Sequence, residues 1–198
     1  MNPAPKQERS KKRIETILET AENILLEENI DAITIANISK LSGLKRTSTY
    51  KFFQTPDSIK SALVTKYLQE CNKDFIDNIH NINSMELSVV VLRSVEILHN
   101  FFVKSKAAQS LIFLNTTCLP VPKESFNDLS ASVQAFVEKN INLPEIFNKD
   151  GVFRVYTQII ISIFSLNTRE SGLLNEVGKI EANRAAYSYM LNWLNQSN

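Results

Sequence analysis

Apolar residues at Ile14, Ile17, Leu18, Ala21, Ile24 and Leu25 recur at the i, i+3, i+4, i+7 spacing of one helix face. The spacing predicts an amphipathic helix over about 10–28, with Asn29 in the left-handed conformation that ends it. Thr34 then stands where an N-cap belongs, ahead of a second helix whose inward stripe is Ile35, Ile38 and Leu41. Gly43 permits a sharp turn, and a third, short helix starts near Lys45. Thr55 caps a fourth helix, expected to reach about residue 81, and Pro56 takes its first position, where a missing N–H costs nothing.

Further along, Val91, Val95, Leu98 and Phe102 share one face of a helix over about 84–104, opposite Arg93, Glu96, Asn100 and Lys104. Its first half, LSVVVL, is apolar almost all round, which predicts a central place in the domain. Shorter helices are expected at about 106–117 and 124–141, with CLPVPKES between them read as a loop because two prolines break the pattern. Two last helices cover about 150–168 and 174–195. The final one carries two apolar stripes. Leu173, Val177, Ile180, Tyr187, Leu191 and Leu194 form one, and Ala182, Ala186, Tyr189 and Trp193 the other. Two apolar sides need two burial surfaces, and a partner subunit is the expected second one. With only four glycines and little strand-like alternation, the chain reads as all-α, with about nine helices.

The stretch GLKRTSTYKFF, residues 43–53, combines Lys45, Arg46 and Lys51 with four hydroxyls and two adjacent phenylalanines. Such a helix is anchored on one side and offered on the other to something negatively charged. A helix, a roughly eight-residue helix, a glycine turn and a short basic helix make the layout of a helix-turn-helix unit.

Charge changes this picture only locally. The chain carries net +1, and residues 1–53 hold nine Lys/Arg against seven Asp/Glu. Lys6, Arg9, Lys11, Lys12 and Arg13 face one acid, Glu8, and acids dominate the rest of that helix. A hydrophobic fraction of 43% supports a large core. No apolar run is long enough to cross a bilayer, and the charged start lacks the apolar segment of a secretory signal. Cys71 and Cys118 lie far apart without metal-binding spacing, which suits reduced thiols in the cytoplasm. A phosphate-binding glycine loop, HExxH and GxSxG are all missing, and His80 and His99 have no matching partner set. The expectation is a protein that is not an enzyme and holds neither metal nor cofactor.

Residues 10–57 resemble the DNA-binding domain of TetR-family (tetracycline-repressor-like) transcriptional regulators. The resemblance rests on a first helix ending at LLEEN, then AITIANISKLSGL, KRTSTYKFF and a new helix from TPDSI, with Thr34, Ile38, Gly43, Tyr50 and Phe53 in register. Asn29 replaces a glycine common in the family, Thr47 and Thr49 stand at places often held by Gly and by Leu or Phe, and Pro56 replaces a frequent lysine. The resemblance implies a basic arm over 1–9, a helix-turn-helix domain over 10–54, and a ligand-binding and dimerisation domain over 55–198. It further implies a cytoplasmic homodimer, joined through the last two helices, on a palindromic operator in double-stranded DNA. A small-molecule effector would release the repressor, with the fourth helix as the lever.

Chemistry assigns roles within the module. Arg46 has the planar fork that matches guanine O6 and N7. Thr47 and Ser48 offer a methyl or a hydroxyl to neighbouring bases. Lys45, Tyr50 and Lys51 suit phosphates, and Thr34 suits both its cap and a phosphate. Phe53 belongs to the small domain's core, and Phe52 has either role open. For an effector pocket, the candidates are the aromatics Tyr67, Phe75, Phe101, Phe102, Phe113, Phe126, Phe153 and Tyr156, with Asn115, Thr116 and Thr117 as polar partners. An alternative, motivated by Thr47, Thr49 and Pro56, is a helical protein-interaction module that has lost DNA binding.

Overall fold

The structure, a computed structural model, describes residues 5–79, 85–114 and 123–195. All regular structure among them is helical. The elements are α1 (Pro5–Glu27), a short 3-10 turn (Ile30–Ala32), α2 (Ile35–Ser42), α3 (Arg46–Phe52), α4 (Pro56–Asn78), α5 (Leu87–Lys104), α6 (Lys106–Ala108), α7 (Lys123–Asn140), α8 (Lys149–Ser171) and α9 (Glu176–Asn195). A π-helical stretch, Gln109–Leu114, continues α6.

Helix α1 buries Ile17, Ala21, Ile24 and Leu25, as its spacing requires. It begins at Pro5, so the last residues of the expected basic arm are helical. The apolar stripe starts only at Ile14 and gave no signal for two polar turns ahead of it. Asn29 is not left-handed. Its backbone is extended at φ −158°, and its side chain accepts from the amides of Asp31 and Ala32 at 2.9 and 3.2 Å. Asn29 therefore starts the next turn, a common use of its short amide.

Thr34 caps α2 by accepting from the Asn37 amide at 3.1 Å. Ile35 and Ile38 are buried, but Leu41 is 59% exposed, against expectation. Two steps of three residues carry Leu41 about 120° round the helix from Ile35, off the inward stripe. Gly43 ends α2 at φ +71°, where an L side chain is strained. Thr55 and Ser58 form a reciprocal capping box at the start of α4, with Pro56 at its first position.

The long helix α4 buries Ile59, Leu63, Val64, Tyr67, Leu68, Cys71 and Phe75, and packs against α1, α5 and α7. Burial pushes the Cys71 thiol up, keeping this free cysteine a neutral apolar filler. Cys118 lies outside the described residues, as do His80 and most of the proline loop. The part of that loop from Lys123 onward is the first turn of α7.

Helix α5 buries Val91, Val95, Leu98 and Phe102 and packs against α4, α7 and α9, as expected of a central helix. Phe102, Phe113 and Phe164 form one ring cluster, with centroids 4.6, 6.3 and 6.5 Å apart in pairs. Gln109 clasps two elements at once: its Nε2 donates to the Phe102 carbonyl at 2.8 Å, and its Oε1 accepts from the Leu174 amide at 2.8 Å. At the α8–α9 junction Asn167 lies against Gly178, where an added Cβ would sit 2.6 Å from its Oδ1.

The two stripes of α9 part company. Ala182 and Ala186 are fully buried, with Met190 beside them and Tyr189 and Trp193 half-buried. Leu173, Val177, Ile180 and Leu191 are exposed. On α8, Val155 and Leu166 are exposed as well.

Candidate functional site

Helix α3 has seven residues and starts at Arg46, with Lys45 in an extended conformation just before it. At 100° per residue, Arg46, Thr47, Tyr50 and Lys51 fall within an arc of about 140°. All four are exposed, Tyr50 by 52%. Lys45 is exposed beside them, and Ser48 is half-buried at the edge of the arc.

The opposite side of α3 fixes this face in place. Thr49 is fully buried, and its Oγ1 lies 3.3 Å from Ser39 Oγ on α2. Phe53 is buried, and Phe52 is half-buried against the core. The Thr49 position, unassigned a role by sequence reasoning, is thus the hydroxyl bridge between α2 and α3. Between Asp31 and Asp57 the chain contains no carboxylate side chain, while Lys40, Lys45, Arg46 and Lys51 fall in that interval. A face of cations, hydroxyls and one phenol, free of acids in its own segment, has the chemistry to meet phosphates and base edges.

Thr34 is half-buried, with its Oγ1 engaged as the α2 cap. At the start of α4 the Ser58 amide is taken by Thr55 Oγ1, and Asp57 adds a negative charge to the first turn. Both features disfavour a phosphate there.

Helix α1 is tied to α4 through Glu22. The Lys66 ammonium lies 2.6 Å from Glu22 Oε2, and the Tyr67 hydroxyl donates to Glu22 Oε1 at 2.9 Å. Burial, then the hydrogen bond to Glu22, pushes the Tyr67 phenol up, so it stays protonated as a donor.

The pocket candidates fare differently. Tyr67 is buried on this α1–α4 bridge. Phe102 and Phe113 belong to the ring cluster, and Phe101 is half-buried at its edge, 5.1 Å from Phe102. Tyr156 is fully buried with its hydroxyl 2.6 Å from Ser94 Oγ, and burial holds its phenol up. Phe75 and Phe153 are fully buried core residues. Asn115, Thr116 and Thr117 lie outside the described residues. Phe126 borders a cavity.

That cavity measures about 330 Å³ and lies between α4, the π stretch, α7 and α8. Its apolar walls include Val64, Leu68, Ile112, Phe126 and Ile161. Gln158, Ser162, Ser165 and Arg169 supply the polar wall from α8. Ser165 Oγ and Arg169 Nε both donate to the Phe113 carbonyl, at 3.1 and 2.9 Å, at the end of the π stretch. An aromatic search missed these residues. Their signal was the i, i+4, i+7, i+11 run of polar positions along the helix, crossing its apolar stretch from Ile159 to Leu166.

Among the described residues no helix is long and apolar enough to cross a membrane, and no group of three His, Cys, Asp or Glu side chains is placed to hold a metal ion. No protein-family model and no curated protein sequence matches the chain. Solved structures do match. A TetR-family transcriptional regulator from Streptomyces coelicolor superposes with a TM-score of 0.69 at 15% identity, covering 92% of this chain and 99% of that one. A TetR transcriptional regulator from a Rhodococcus species gives 0.69 at 11% identity, covering 94% and 98%. One from Mesorhizobium loti gives 0.60 at 15%, covering 94% and 96%. Over most of its length, the chain has the fold of TetR-family transcriptional regulators.

Proposed function

We propose that the protein is a dimeric, sequence-specific DNA-binding transcriptional regulator, a repressor released by a small molecule held in the larger helical region. The observation that carries this reading is the α3 face. Arg46, Thr47, Tyr50 and Lys51 stand exposed on one arc, while Thr49 and Phe53 root the opposite side. In this reading α3 enters the major groove. Arg46 reads a base edge with help from Thr47 and Ser48, and Lys45, Tyr50 and Lys51 hold phosphates. Thr34 keeps its cap and, in this reading, adds a phosphate contact.

Dimerisation supplies the two-fold symmetry of a palindromic operator, with half-sites one helical turn apart, ~34–36 Å. The exposed apolar residues Val155 and Leu166 of α8, and Val177, Ile180 and Leu191 of α9, support pairing through the last two helices. Burying such stripes against a second copy removes apolar surface from water.

Release requires an effector with unequal affinity for the operator-bound and free conformations. Helix α4 supports that coupling. Val64 and Leu68 border the cavity, and Lys66 and Tyr67, in the same turn and a half, grip Glu22 of α1.

The test is selection of fragments from the host genome by the purified chain. The reading expects recovery of a fragment with an inverted repeat, bound by a dimer with a steep salt dependence, about −0.9 in log–log slope per phosphate neutralised. Recovery of no fragment above background, or binding indifferent to salt, would remove it.

A further inference from the structure

The cavity under α8 shares Phe126 and Gln158 with a neighbouring cleft of similar size that Lys123, Asn127 and Arg154 also border. The two spaces adjoin at these two shared residues. Their combined lining contains three cations, Lys123, Arg154 and Arg169, and no carboxylate. Neither Lys123 nor Arg154 forms an ion pair with a described residue. Arg169 lines the inner cavity itself, with its Nε donating to the Phe113 carbonyl. Apart from that α8 polar wall, the inner cavity is apolar, walled by Val64, Leu68, Ile112 and Ile161, whereas the cleft carries Lys123 and Arg154.

From this gradient we infer that the site takes a small anionic amphiphile, an apolar body with one carboxylate or similar anionic head. The body lies against Val64, Leu68, Ile112 and Ile161, and the head lies toward Lys123 and Arg154. The inner volume of about 330 Å³ corresponds to roughly ten non-hydrogen atoms, taking ~30 Å³ as one water's share of the liquid. That is the scale of a medium-length alkyl body, with the head in the adjoining cleft.

Charge decides the sign of the head group. A cationic ligand would bring its charge to Lys123 and Arg154 without an acid in either lining to receive it. A neutral alcohol would gain the apolar contacts but leave the cations facing water. Asp128 and Asp150 line an adjoining polar groove that shares Asn127 and Arg154 with the cleft and that Glu138 also lines. Neither acid is in the cleft's own lining, but both temper the field of Arg154, so Lys123 and Arg154 are best removed together.

The regulatory meaning of this site rests on the proposal above, but the binding is measured without DNA. The probes are octanoate, octan-1-ol and octylammonium, titrated calorimetrically into the full chain. Octanoate is expected to bind about tenfold or more tighter than octylammonium, in line with charge-assisted bonding to the two cations. The Lys123→Gln/Arg154→Gln double variant, both positions being exposed, is expected to lose about tenfold in octanoate affinity and to bind octan-1-ol unchanged. Ile112→Trp, checked for native circular dichroism, should abolish binding of both by filling the inner space. Equal or tighter octylammonium binding, octanoate binding indifferent to the double variant, or no binding of octanoate would each overturn the inference. Operator binding by the same samples separates the two proposals. A chain that binds DNA but not octanoate loses only the ligand class, and one that binds octanoate but not DNA loses only the regulator reading.

Discussion

Arg46, Thr47, Tyr50 and Lys51 come from six consecutive residues of one helix, whereas the cavity walls come from α4, the π stretch, α7 and α8. The α3 face is set within one short segment: an N-cap and a left-handed glycine bound α2, and a hydroxyl bridge to α2 and a buried ring hold the far side of α3. The cavity is set by what four separate elements fail to fill. Val64 and Arg169 meet there from opposite halves of the chain, and no local pattern states that they will. A face is a property of a helix, while a cavity is a property of a packing arrangement. Substitutions should therefore affect the two regions by different routes.

The largest effect is expected in the packed region. Phe164→Ala removes the ring shared by the pairs with Phe102 and Phe113 and should lower stability by ~3–5 kcal/mol, read by urea unfolding. A loss under 1 kcal/mol would mean that the cluster is loosely packed. On the α3 face, Arg46→Ala should weaken operator binding by ~1–3 kcal/mol and relax the base preference at one position, with unfolding unchanged. An unchanged preference would move Arg46 from base reading to phosphate binding.

Glu22→Ala addresses the joint between the two regions. Lys66 is 32% and Glu22 26% exposed, so their attraction is partly screened and contributes little. Tyr67 is buried and loses the acceptor of its hydroxyl, which should cost about 1–3 kcal/mol. Tyr67→Phe in the Glu22→Ala background should recover part of that loss. No recovery would assign the cost to Lys66 instead. Thr34→Ala removes the α2 cap and should cost ~1 kcal/mol in unfolding free energy. Lys51→Ala is the mildest: uniformly weaker binding to all DNA and a salt slope shallower by about one.

How much of this was legible in the sequence follows the same division. Thr34, Gly43, Thr55 and Pro56 do what their local chemistry predicts, because caps and turns are decided by atoms a few residues apart. Leu41 deceived because a three-residue stripe drifts around a helix, and Asn29 because its side chain found a better use as an acceptor. The aromatics Tyr67, Phe102, Phe113 and Tyr156 look alike as letters whether they line a pocket or fill a core. Only tertiary packing separates the buried hydroxyls on Glu22 and Ser94 from Phe126 at the cavity edge. Gln158, Ser162, Ser165 and Arg169 were visible as a polar run, but not what they would face.

Affinity of the Arg46→Ala/Tyr50→Ala double variant for a genomic fragment selected by the parent chain, at matched salt, tests the central claim most directly. With helicity and unfolding midpoint equal to the parent's, the account predicts a loss of at least about a hundredfold, the combined effect of a base contact and a phosphate contact. Affinity within about twofold of the parent, well below the effect of losing one such contact, would show that a different surface meets DNA.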